Sequence, residues 1–306
     1  MALDLTAIIL TKNESIHIER ALKNIQGLAK HVVVVDSFSS DNTAEIAKAH
    51  GATVLQNKFI NYAKQFQWAL DNANIQTAWI LRLDADELIE SDLRAELEKK
   101  LPVLPADVVG INLKRKHIFM GRWVRHGGRY PLVLLRIWRH GHGRIEDRWM
   151  DEHMVIWGGK AITLEGGFAD HNLNDLTFFT TKHNGYATRE AIDVLIQRRN
   201  IYKRDDALNT KSASIQAAVK RMMKESIYNK LPFTISALLY FIWRYFFQMG
   251  FLDGRTGLVY HFLQGYWYRF LVGAKLMELE NALDGITDTE EIKTRLLEIT
   301  GHNLNA

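Results

Sequence analysis

Short apolar segments alternate with amphipathic segments in the N-terminal half of the chain. Near-continuous apolar segments of strand length are typical of strands buried on both faces of a sheet, and they lie at Leu5–Leu10, Val32–Val35, Thr53–Leu55 and Trp79–Leu83. Helical periodicity separates them, with one apolar face at Ala21, Leu22, Ile25 and Leu28 and a further helix predicted over Tyr62–Ala73. Strands that alternate with helices predict crossover connections and a mainly parallel sheet.

The pattern changes in the second half of the chain. Two longer strands are predicted at Val108–Phe119 and Leu132–Trp138, with a loop rich in glycine and arginine between them. From Leu176 the periodicity is helical almost to the end, with breaks at Pro232, Gly250–Gly257 and Gly285–Asp288. We therefore predict an α/β domain over residues 1–175 and an α-helical extension over residues 176–306.

Polar residues follow three of the predicted strands directly, at Thr11–Glu14, Asp36–Asp41 and Asp84–Glu87. In open α/β sheets, ligands bind beyond the carboxyl ends of the strands. Asp84 and Asp86 would point the same way from an extended backbone, and their oxygens suit Mg²⁺ or Mn²⁺. The alternative is a solvated turn with helix-capping acids. For the helix after the second strand, Asn42 and Glu45 have the spacing of a capping box.

Composition restricts the class of protein. The chain has 306 residues, of which 47% are hydrophobic and 24% charged, so it is globular, with room for one large core or two modest ones. It contains no cysteine, which excludes disulfides and thiolate metal sites and suits a reducing cytoplasm. Met1–Leu10 lacks the features of a secretory leader. Residues 180–276 carry fifteen Lys/Arg and six Asp/Glu, so phosphate-bearing partners are expected at the C-terminal half.

Two segments of the predicted extension are rich in apolar and aromatic residues, Leu231–Phe247 and Val259–Leu276. A spanning helix needs about 20 consecutive apolar residues. Leu231–Phe247 is shorter and contains Arg244, so we expect these helices to lie on a membrane surface and not across it. Aromatic residues also favour subunit interfaces, so a homo-oligomer formed through the C-terminal helices is a second possibility.

The strand-end motifs Thr11-Lys-Asn-Glu14, Asp36-Ser-Phe-Ser-Ser-Asp41-Asn-Thr43 and Asp84-Ala-Asp86-Glu87 resemble those of family 2 glycosyltransferases with the GT-A fold, over about the first 175 residues. Gly250-Phe-Leu-Asp-Gly254 resembles the subgroup that adds sugars to lipopolysaccharide core or similar lipid-linked glycans. The resemblance implies an inverting, metal-dependent transfer of one sugar, with uridine diphosphate preferred in the donor. It also implies a cytoplasmic enzyme that is peripheral at the inner face of a membrane.

The resemblance assigns site residues by position. Thr11, Asn13, Glu14 and Asp36 would line the nucleotide pocket, with Asp36 accepting from a uracil-like base. Asp41 and Lys64 would frame the base and diphosphate, unless they are a helix cap and a solvated lysine. Asp84 would face the ribose, or the metal through water, whereas Asp86 would bind Mn²⁺ or Mg²⁺ directly, and His171 would be a third metal ligand.

A general base must take the proton from the acceptor hydroxyl, and the resemblance places it at Asp151-Glu152. Glu152 is favoured by alignment, but the subgroup usually has His-Glu here, so the choice between Asp151 and Glu152 stays open. Arg129, Arg136 and Arg139 would either hold a phosphate or acidic sugar or be solvated; the latter is favoured.

Other functions fit less well. A processive synthase would carry Gln-x-x-Arg-Trp and several spanning helices, a nucleotidyltransferase a glycine-rich loop after the first strand, and a dehydrogenase Gly-x-Gly-x-x-Gly. The chain has none of these. A non-catalytic sugar-binding or membrane scaffold of the same fold is disfavoured by Asp86 and the Asp151-Glu152 pair. The basic tail alone suggests nucleic acid, and its interleaved aromatics suit a lipid headgroup layer better.

Overall fold

The fold is taken from a computed structural model, which describes residues 1–146, 153–201 and 231–304. The first half contains β1 (Leu3–Thr11), α1 (Ser15–Ile25), β2 (Ala29–Asp36), α2 (Thr43–Ala49), β3 (Thr53–Gln56), α3 (Tyr62–Asn72), β4 (Trp79–Arg82), β5 (Glu87–Ile89) and α4 (Ser91–Lys100). A 3₁₀ turn at Leu101–Val103 follows. The predicted strands and helices of this half are all present, with ends that differ by at most three residues.

The middle of the chain is built of strands, and the end of it is helical. The strands are β6 (Val108–Phe119), β7 (Arg122–Val124), β8 (Leu132–Arg139), β9 (Gly143–Ile145), β10 (Met154–Ile156) and β11 (Lys160–His171). The helices are α5 (Leu176–Arg198), α6 (Phe233–Ile242), α7 (Gly254–Tyr260), α8 (Tyr268–Ala282) and α9 (Thr289–Thr300), with π-helical turns at Trp243–Phe247 and His261–Trp267 and a 3₁₀ turn at Gly250–Asp253.

Most strands form one mixed sheet in the order β3-β2-β1-β4-β8-β6-β11-β5, with β7 paired to β6. The first four strands of that order are parallel. β8 runs antiparallel to both of its neighbours, and β11 is parallel to β6 but antiparallel to β5. The prediction of an α/β fold with a mainly parallel, mixed sheet is confirmed.

The sheet is covered on both faces, as its apolar strands require. Residues of β1 alternate between the two sides, because successive side chains of a strand point in opposite directions. Leu5, Ala7 and Ile9 join a core with α1 and α4, whereas Ile8 joins a second core with Phe66 of α3. The two-sided burial of β1 explains why its sequence is nearly continuously apolar.

The helical extension has a core of its own. α5, α8 and α9 pack through Ala191, Ile192, Leu195, Leu276, Leu279, Ile292 and Leu296. A smaller cluster of Phe119, Val124 and Tyr260 joins β6 and β7 to α7. The strand β11 ends at His171 and α5 begins at Leu176, which is the place where the sequence changes to helical periodicity.

The aromatic segments of the extension divide into buried and exposed residues. Tyr260 and Tyr268 are buried, so part of Val259–Leu276 is core and not surface. Between residues 231 and 262, in contrast, many large apolar side chains are exposed: Leu231, Ile235, Leu238, Leu239, Trp243, Phe246, Phe247, Met249, Phe251, Leu252, Leu258 and Phe262. We call this set the apolar surface.

None of the described helices is, by itself, long and apolar enough to cross a membrane. One pair, Phe233–Phe247 with Gly250–Ala282, passes that test together, but the two members are bent by 72° at the break between them.

One local prediction is wrong. Asn42 makes no side-chain cap, so it forms no capping box with Glu45. The backbone N–H of Thr43 donates to Asp41 instead, because that carboxylate is held at the helix start.

The glycine- and arginine-rich loop between β6 and β8 contains a short strand that was not predicted. Arg122–Val124 forms this strand and pairs with His117–Phe119.

Candidate active site

The carboxyl ends of β1, β2 and β4 meet at one edge of the sheet. In the parallel ladder, Thr11 pairs with Asp36 and Ile8 with Arg82. The polar residues that follow these strands therefore lie side by side, as the sequence predicted, and the crevice beyond strand ends is where α/β sheets bind ligands.

Thr11 and Asp36 organise the loop after β2. The hydroxyl of Thr11 donates to Asp36 Oδ1 at 3.0 Å, and the backbone N–H and hydroxyl of Ser39 donate to the same carboxylate at 2.9 and 2.5 Å. Asp36 is fully buried. In this arrangement Asp36 orders the loop. An N–H group of a nucleotide base would reach its carboxylate only after the loop shifts.

Asn13 and Glu14 connect the first two strand-end loops. Asn13 has a left-handed backbone, with φ of 56°, and its side-chain oxygen accepts from the N–H of Ser40 at 2.8 Å. The N–H of Glu14 donates to the hydroxyl of Thr43, and its carboxylate lies 2.6 Å from His17 Nδ1. Asn13 is exposed and Glu14 half-buried. Asn13 therefore ties the loop after β1 to the loop after β2, whereas Glu14 is tied to α1.

Asp41 and Lys64 lie at helix starts. Asp41 accepts from the backbone N–H groups of Ser15 and Thr43, both at 3.1 Å. Burial raises the pKa of Asp41, but the hydrogen bonds from Thr43 and Ser15 outweigh it and hold the pKa below its usual value. The N–H of Lys64 donates to Asn61 Oδ1, the cap of α3. Asp41 thus has the capping role that was the alternative to ligand binding.

Asp84 to Glu87 form a turn and not an extended segment. The N–H of Glu87 donates to the backbone oxygen of Asp84 at 2.9 Å, and β5 begins directly afterwards. The argument that alternation along a strand aligns Asp84 with Asp86 is therefore wrong. The turn, together with strand pairing, places the three acids instead.

Asp84 is surrounded by donors. Tyr62 donates its hydroxyl hydrogen to Asp84 Oδ1 at 2.6 Å, and Arg136 Nη2 lies 3.6 Å from Asp84 Oδ2. Burial raises the pKa of Asp84, but Arg136 and Arg82 more than offset this, so the net pKa is below the usual value. Asp84 is therefore a carboxylate with part of its charge already neutralised.

Asp86 has less compensation. Its Oδ2 accepts from the side-chain N–H of Asn172 at 2.8 Å. Burial, and then the negative charges of Asp170 and Asp84, raise the pKa of Asp86 to about 6, although Lys182 acts against this. When burial and neighbouring carboxylates raise the pKa of a carboxyl group in this way, a cation that binds beside it stabilises its charged form.

Asp170 belongs to the site, and the sequence analysis did not assign it a role. It lies in the ladder between Glu87 of β5 and His117 of β6. His117 Nδ1 is 3.0 Å and Arg115 Nη1 3.6 Å from Asp170 Oδ2. Burial opposes ionisation, but His117 and Arg115 hold the pKa of Asp170 well below its usual value. Its position directly before His171 was the available signal.

His171 lies at the end of β11, where its contacts are with Arg20. Its N–H donates to the backbone oxygen of Asp86 at 2.9 Å, and Arg20 donates to its carbonyl at 2.6 Å. The ring Nδ1 is 3.3 Å from Arg20 Nη1. Burial, and then the charge of Arg20, lower the pKa of His171. His171 is thus tied to Asp86 by the backbone, and its neutral ring is available as a ligand.

The fit of a divalent cation rests on charge and donor type. Among the described residues, no three Asp, Glu or His side chains are gathered as a ready ligand set. Asp84, Asp86 and Asp170 nevertheless act on one another as like charges. Carboxylate oxygens are the donors that Mg²⁺ and Mn²⁺ prefer, so the residues fit such an ion with Asp86 as the first ligand.

Lys182 of α5 brings a cation from the extension to this edge. Burial lowers its pKa, but Tyr186, Asp86 and Glu14 outweigh that and raise the pKa of Lys182 above its usual value. No sequence pattern singled it out, because α5 reaches the strand ends only through the packing of the extension.

The two candidate bases, Asp151 and Glu152, lie outside the described residues. Of the three arginines that were expected to be solvated, Arg136 is buried, and it donates to Glu87 Oε1 at 2.6 Å. Arg139 is half-buried and donates to the backbone oxygen of Val108. The expectation of solvation is wrong for both, because strand β8 lies in the middle of the sheet. Arg129 is half-buried.

The sequence profile described as "Glycosyl transferase family 2" matches residues 6–171, more than half of the chain. The chain belongs to glycosyl transferase family 2. The matched segment begins in β1 and ends with β11, so it covers the whole sheet together with Asp84, Asp86 and His171. The predicted family is confirmed, and the sheet agrees with the GT-A fold expected for it.

Curated relatives share shorter segments with this family 2 chain. A Rickettsia bellii protein described as "Uncharacterized glycosyltransferase" is 39% identical over 94 residues, 31% of this chain and 31% of the relative. The SPbeta prophage-derived glycosyltransferase SunS of Bacillus subtilis is 30% identical over 103 residues, 33% of this chain and 24% of the relative. The chain thus spans about a third or less of the curated relatives that it matches.

Two solved structures are similar over a comparable part of the chain. Mannosyl-3-phosphoglycerate synthase from Rubrobacter xylanophilus has a TM-score of 0.32 and 20% identity, covering 38% of this chain and 41% of that chain. Glucosyl-3-phosphoglycerate synthase from Mycobacterium tuberculosis, in complex with Mn²⁺, UDP and glucosyl-3-phosphoglycerate, has a TM-score of 0.30 and 17% identity, covering 37% of this chain and 43% of that chain. The ligands named here belong to those proteins.

Proposed function

We propose that this chain is an inverting, metal-dependent glycosyltransferase that moves one sugar from a nucleotide sugar, preferably a UDP-sugar, to a glycan acceptor. Membership of family 2 supports the reaction class. The observation that carries the proposal is the convergence of Asp84, Asp86 and Asp170 at the carboxyl edge of the sheet, where their mutual repulsion favours a cation.

The donor site in this proposal is formed by the strand-end loops. Asn13, in the first of these loops, is exposed, and Asp86, whose pKa burial and the charges of Asp170 and Asp84 raise to about 6, holds Mn²⁺ or Mg²⁺. When bound, such an ion stabilises the negative charge that develops on the departing nucleoside diphosphate. Lys182 adds positive charge at the same edge. Asp84, held by Tyr62 at 2.6 Å, is oriented to accept from the ribose or from a water ligand of the ion.

The transfer step needs a base beside the acceptor hydroxyl. The hydroxyl oxygen attacks the anomeric carbon opposite the leaving group, the bond from that carbon to the diphosphate breaks, and the hydroxyl proton passes to the base. Glu152, or Asp151 beside it, has this role in the proposal. Glu152→Gln should keep donor affinity and lose transfer. If only Asp151→Asn loses transfer, Asp151 is the base, and if both variants stay active neither residue is.

The acceptor in this proposal is a lipopolysaccharide-core, capsular or lipid-linked glycan, and the enzyme is cytoplasmic and peripheral at the inner face of the membrane. The apolar surface supports this placement, because it exposes Trp243 and Phe247 beside a C-terminal half that carries excess positive charge. The same surface would also serve a homo-oligomer, and vesicle co-sedimentation against size-exclusion chromatography separates the two.

The decisive experiment is a thermal-shift panel of nucleotides and nucleotide sugars with and without Mn²⁺. A ligand that binds only the folded state raises the melting temperature by mass action. We expect UDP and one UDP-sugar to raise it, and Mn²⁺ to increase the shift. A chain that no nucleotide stabilises, with or without the ion, is not a nucleotide-sugar transferase, and the scaffold alternative would then stand.

A further inference from the structure

A group of cations lies where β6, the loop before β8 and the extension meet. Arg115 belongs to β6, Arg129 to the loop, and Arg244 to the turn after α6. The guanidinium carbon of Arg129 is 5.2 Å from the centre of the Tyr260 ring, and that of Arg244 is 5.4 Å from the centre of the Tyr240 ring. We call Arg115, Arg129 and Arg244 the basic junction.

The backbone around the basic junction is tightly held. Arg244 Nε donates to the backbone oxygen of Gly127 at 2.7 Å, and the N–H of Gly127 donates to the backbone oxygen of Gln248 at 2.8 Å. The N–H and ring of His126 both bind Asp253, the acid of the Gly250–Gly254 motif. The loop and the extension therefore fix the position of Arg129 relative to Arg244.

In the described ranges of the chain, Arg115 is the one member of the basic junction with a counter-charge, and each of the three side chains keeps an N–H group without a partner. Among the described residues, Arg129 has no hydrogen bond from its guanidinium and no ion pair, and its Nε atom is buried without a partner. Arg244 is 4% exposed and its Nη2 is likewise buried without a partner. Arg115 lies 3.6 Å from Asp170, but its Nε has no partner. Each of the three arginines thus keeps a donor that nothing in the described chain accepts from.

The electrostatics agree with this geometry. Burial lowers the pKa of Arg129, and Arg244 and Arg115 lower it further. Burial raises the pKa of Tyr240, yet Arg244, Arg269 and Arg129 outweigh it and bring that pKa down to about 8. A partly buried site of net positive charge with unsatisfied N–H groups is unfavourable when empty and favourable once an anion occupies it.

We propose that the basic junction binds an oxyanion, a phosphate or carboxylate group, carried by the acceptor of the transfer reaction. Guanidinium groups suit this because their planar fork donates two parallel hydrogen bonds to such a group. The site adjoins the proposed donor site through Arg115, which lies 3.6 Å from Asp170. Asp86 and the loops after β1 and β2 belong to the proposed donor site. This inference rests on the proposed function, since it names a property of its acceptor.

The test uses the full chain saturated with UDP and Mn²⁺, so that the donor diphosphate position is filled, and titrates inorganic phosphate at constant ionic strength. A ligand at tenfold its dissociation constant should raise the melting temperature by about 2–4 °C in a protein of this size. We expect that rise in the wild type and its loss in Arg129→Met. Arg122→Met is the matched control, because Arg122 is an exposed arginine of the neighbouring strand β7.

A positioning or purely structural role predicts other results. If Arg129 only supported the fold, Arg129→Met would lower the melting temperature without phosphate and keep the phosphate-dependent rise, which would overturn the proposal. We expect the variant to be as stable as the wild type, because it removes an uncompensated charge. Arg129→Lys, which keeps the charge but not the fork, should retain only part of the shift.

A third measurement identifies the source of the oxyanion. UDP affinity in the presence of Mn²⁺ should be equal in the wild type and in Arg129→Met. A tenfold or greater loss of UDP affinity would assign the cluster to the donor diphosphate and overturn the acceptor proposal. If the wild type binds no UDP at all, the proposed function fails, and the contrast between Arg129→Met and Arg122→Met toward phosphate still decides on the oxyanion site itself.

Discussion

Arg136 and Arg129 lie in two regions of opposite charge. Arg136 is 4% exposed and donates to Glu87, which is itself 1% exposed, at 2.6 Å, with Asp84 also close. Arg129 is half-buried, and within the described part of the chain no carboxylate pairs with it. Burial raises the pKa of Glu87 to about 8, against the attraction of Arg136. Arg136 is thus bound to buried acids of the fold, whereas Arg129 has no carboxylate partner in the part of the chain that the structure describes.

The difference separates structural charge from functional charge. At the sheet edge, burial and then the charges of Asp170 and Asp84 raise the pKa of Asp86, and Lys182 offsets them only in part, so negative charge is in excess around Asp86. At the basic junction the excess is positive, and Arg115 stands between the two regions by contacting Asp170. An imbalance of either sign costs stability and is relieved by a ligand of the opposite charge.

Replacing Arg136, the arginine that binds Glu87, should have the largest effect on stability. Arg136→Met leaves Glu87 buried without its partner, which typically costs about 3–5 kcal/mol. Urea unfolding measures the loss. Adding Glu87→Gln to this variant should restore more than half of it, because the uncompensated charge is then gone. A loss below about 1 kcal/mol for Arg136→Met would mean that the pair is not a structural charge.

The junction that positions Arg129 should be sensitive to a single methyl group. Gly127 has φ of +66°, and a Cβ there would lie 2.1 Å from the ring of His261. Gly127→Ala should cost about 3 kcal/mol, from left-handed strain and overpacking together. Gly121, with φ of +71° and no atom within 4 Å of its Cβ position, is the matched control. Gly121→Ala should cost only about 1–2 kcal/mol. If the two substitutions lower the free energy of unfolding equally, the contact with His261 adds nothing to the cost of Gly127→Ala.

The unpaired acid at the sheet edge should control donor binding more than stability. Asp86→Asn is expected to weaken UDP binding in the presence of Mn²⁺ by about 100-fold, or about 2.7 kcal/mol. Removing a direct metal ligand should reduce affinity more than removing a residue that only supports a ligand. The melting temperature of Asp86→Asn should not fall, because like-charge repulsion is relieved. Calorimetry measures the affinity for UDP with and without Mn²⁺. Asp71→Asn, at an exposed position, serves as the control. Unchanged affinity in Asp86→Asn would refute the metal assignment.

The smallest effect is expected from a substitution in the apolar surface of the extension. Phe247 is 69% exposed, and Phe247→Asp should reduce binding to anionic vesicles by about tenfold, since burying such a ring gives roughly 1.5–3 kcal/mol. Phe59→Asp, at a position 44% exposed in the α/β domain, should have no effect. Co-sedimentation is the measurement. If the wild type ignores vesicles and runs as a stable oligomer, the apolar surface is a subunit interface.

The residues next to β1, β2 and β4 were predictable because parallel strands place their carboxyl ends together. Thr11, Asp36 and Asp84 could be grouped from local signals alone, each directly following an apolar segment. Lys182 could not, since it reaches the edge through α5, and no spacing in the chain connects it to Asp86. Asp170 reaches the edge through β11, and its one signal was its position directly before His171. The burial of Arg136 was missed for a related reason, because a charged residue in a strand gives no sign of whether that strand is central or at the edge.

The sequence by itself determined the strands, helices and family of this protein, because hydrophobic periodicity and strand-end polar motifs are properties of neighbouring residues. Only the tertiary structure decided which charges are compensated. Arg129 and Arg136 are the same residue type seven positions apart, yet of the two, counting described residues alone, only Arg136 meets a carboxylate, Glu87, 49 positions away in the chain. Electrostatic compensation depends on distance in space and on burial, and for residues this far apart both are set by how the sheet and the extension pack.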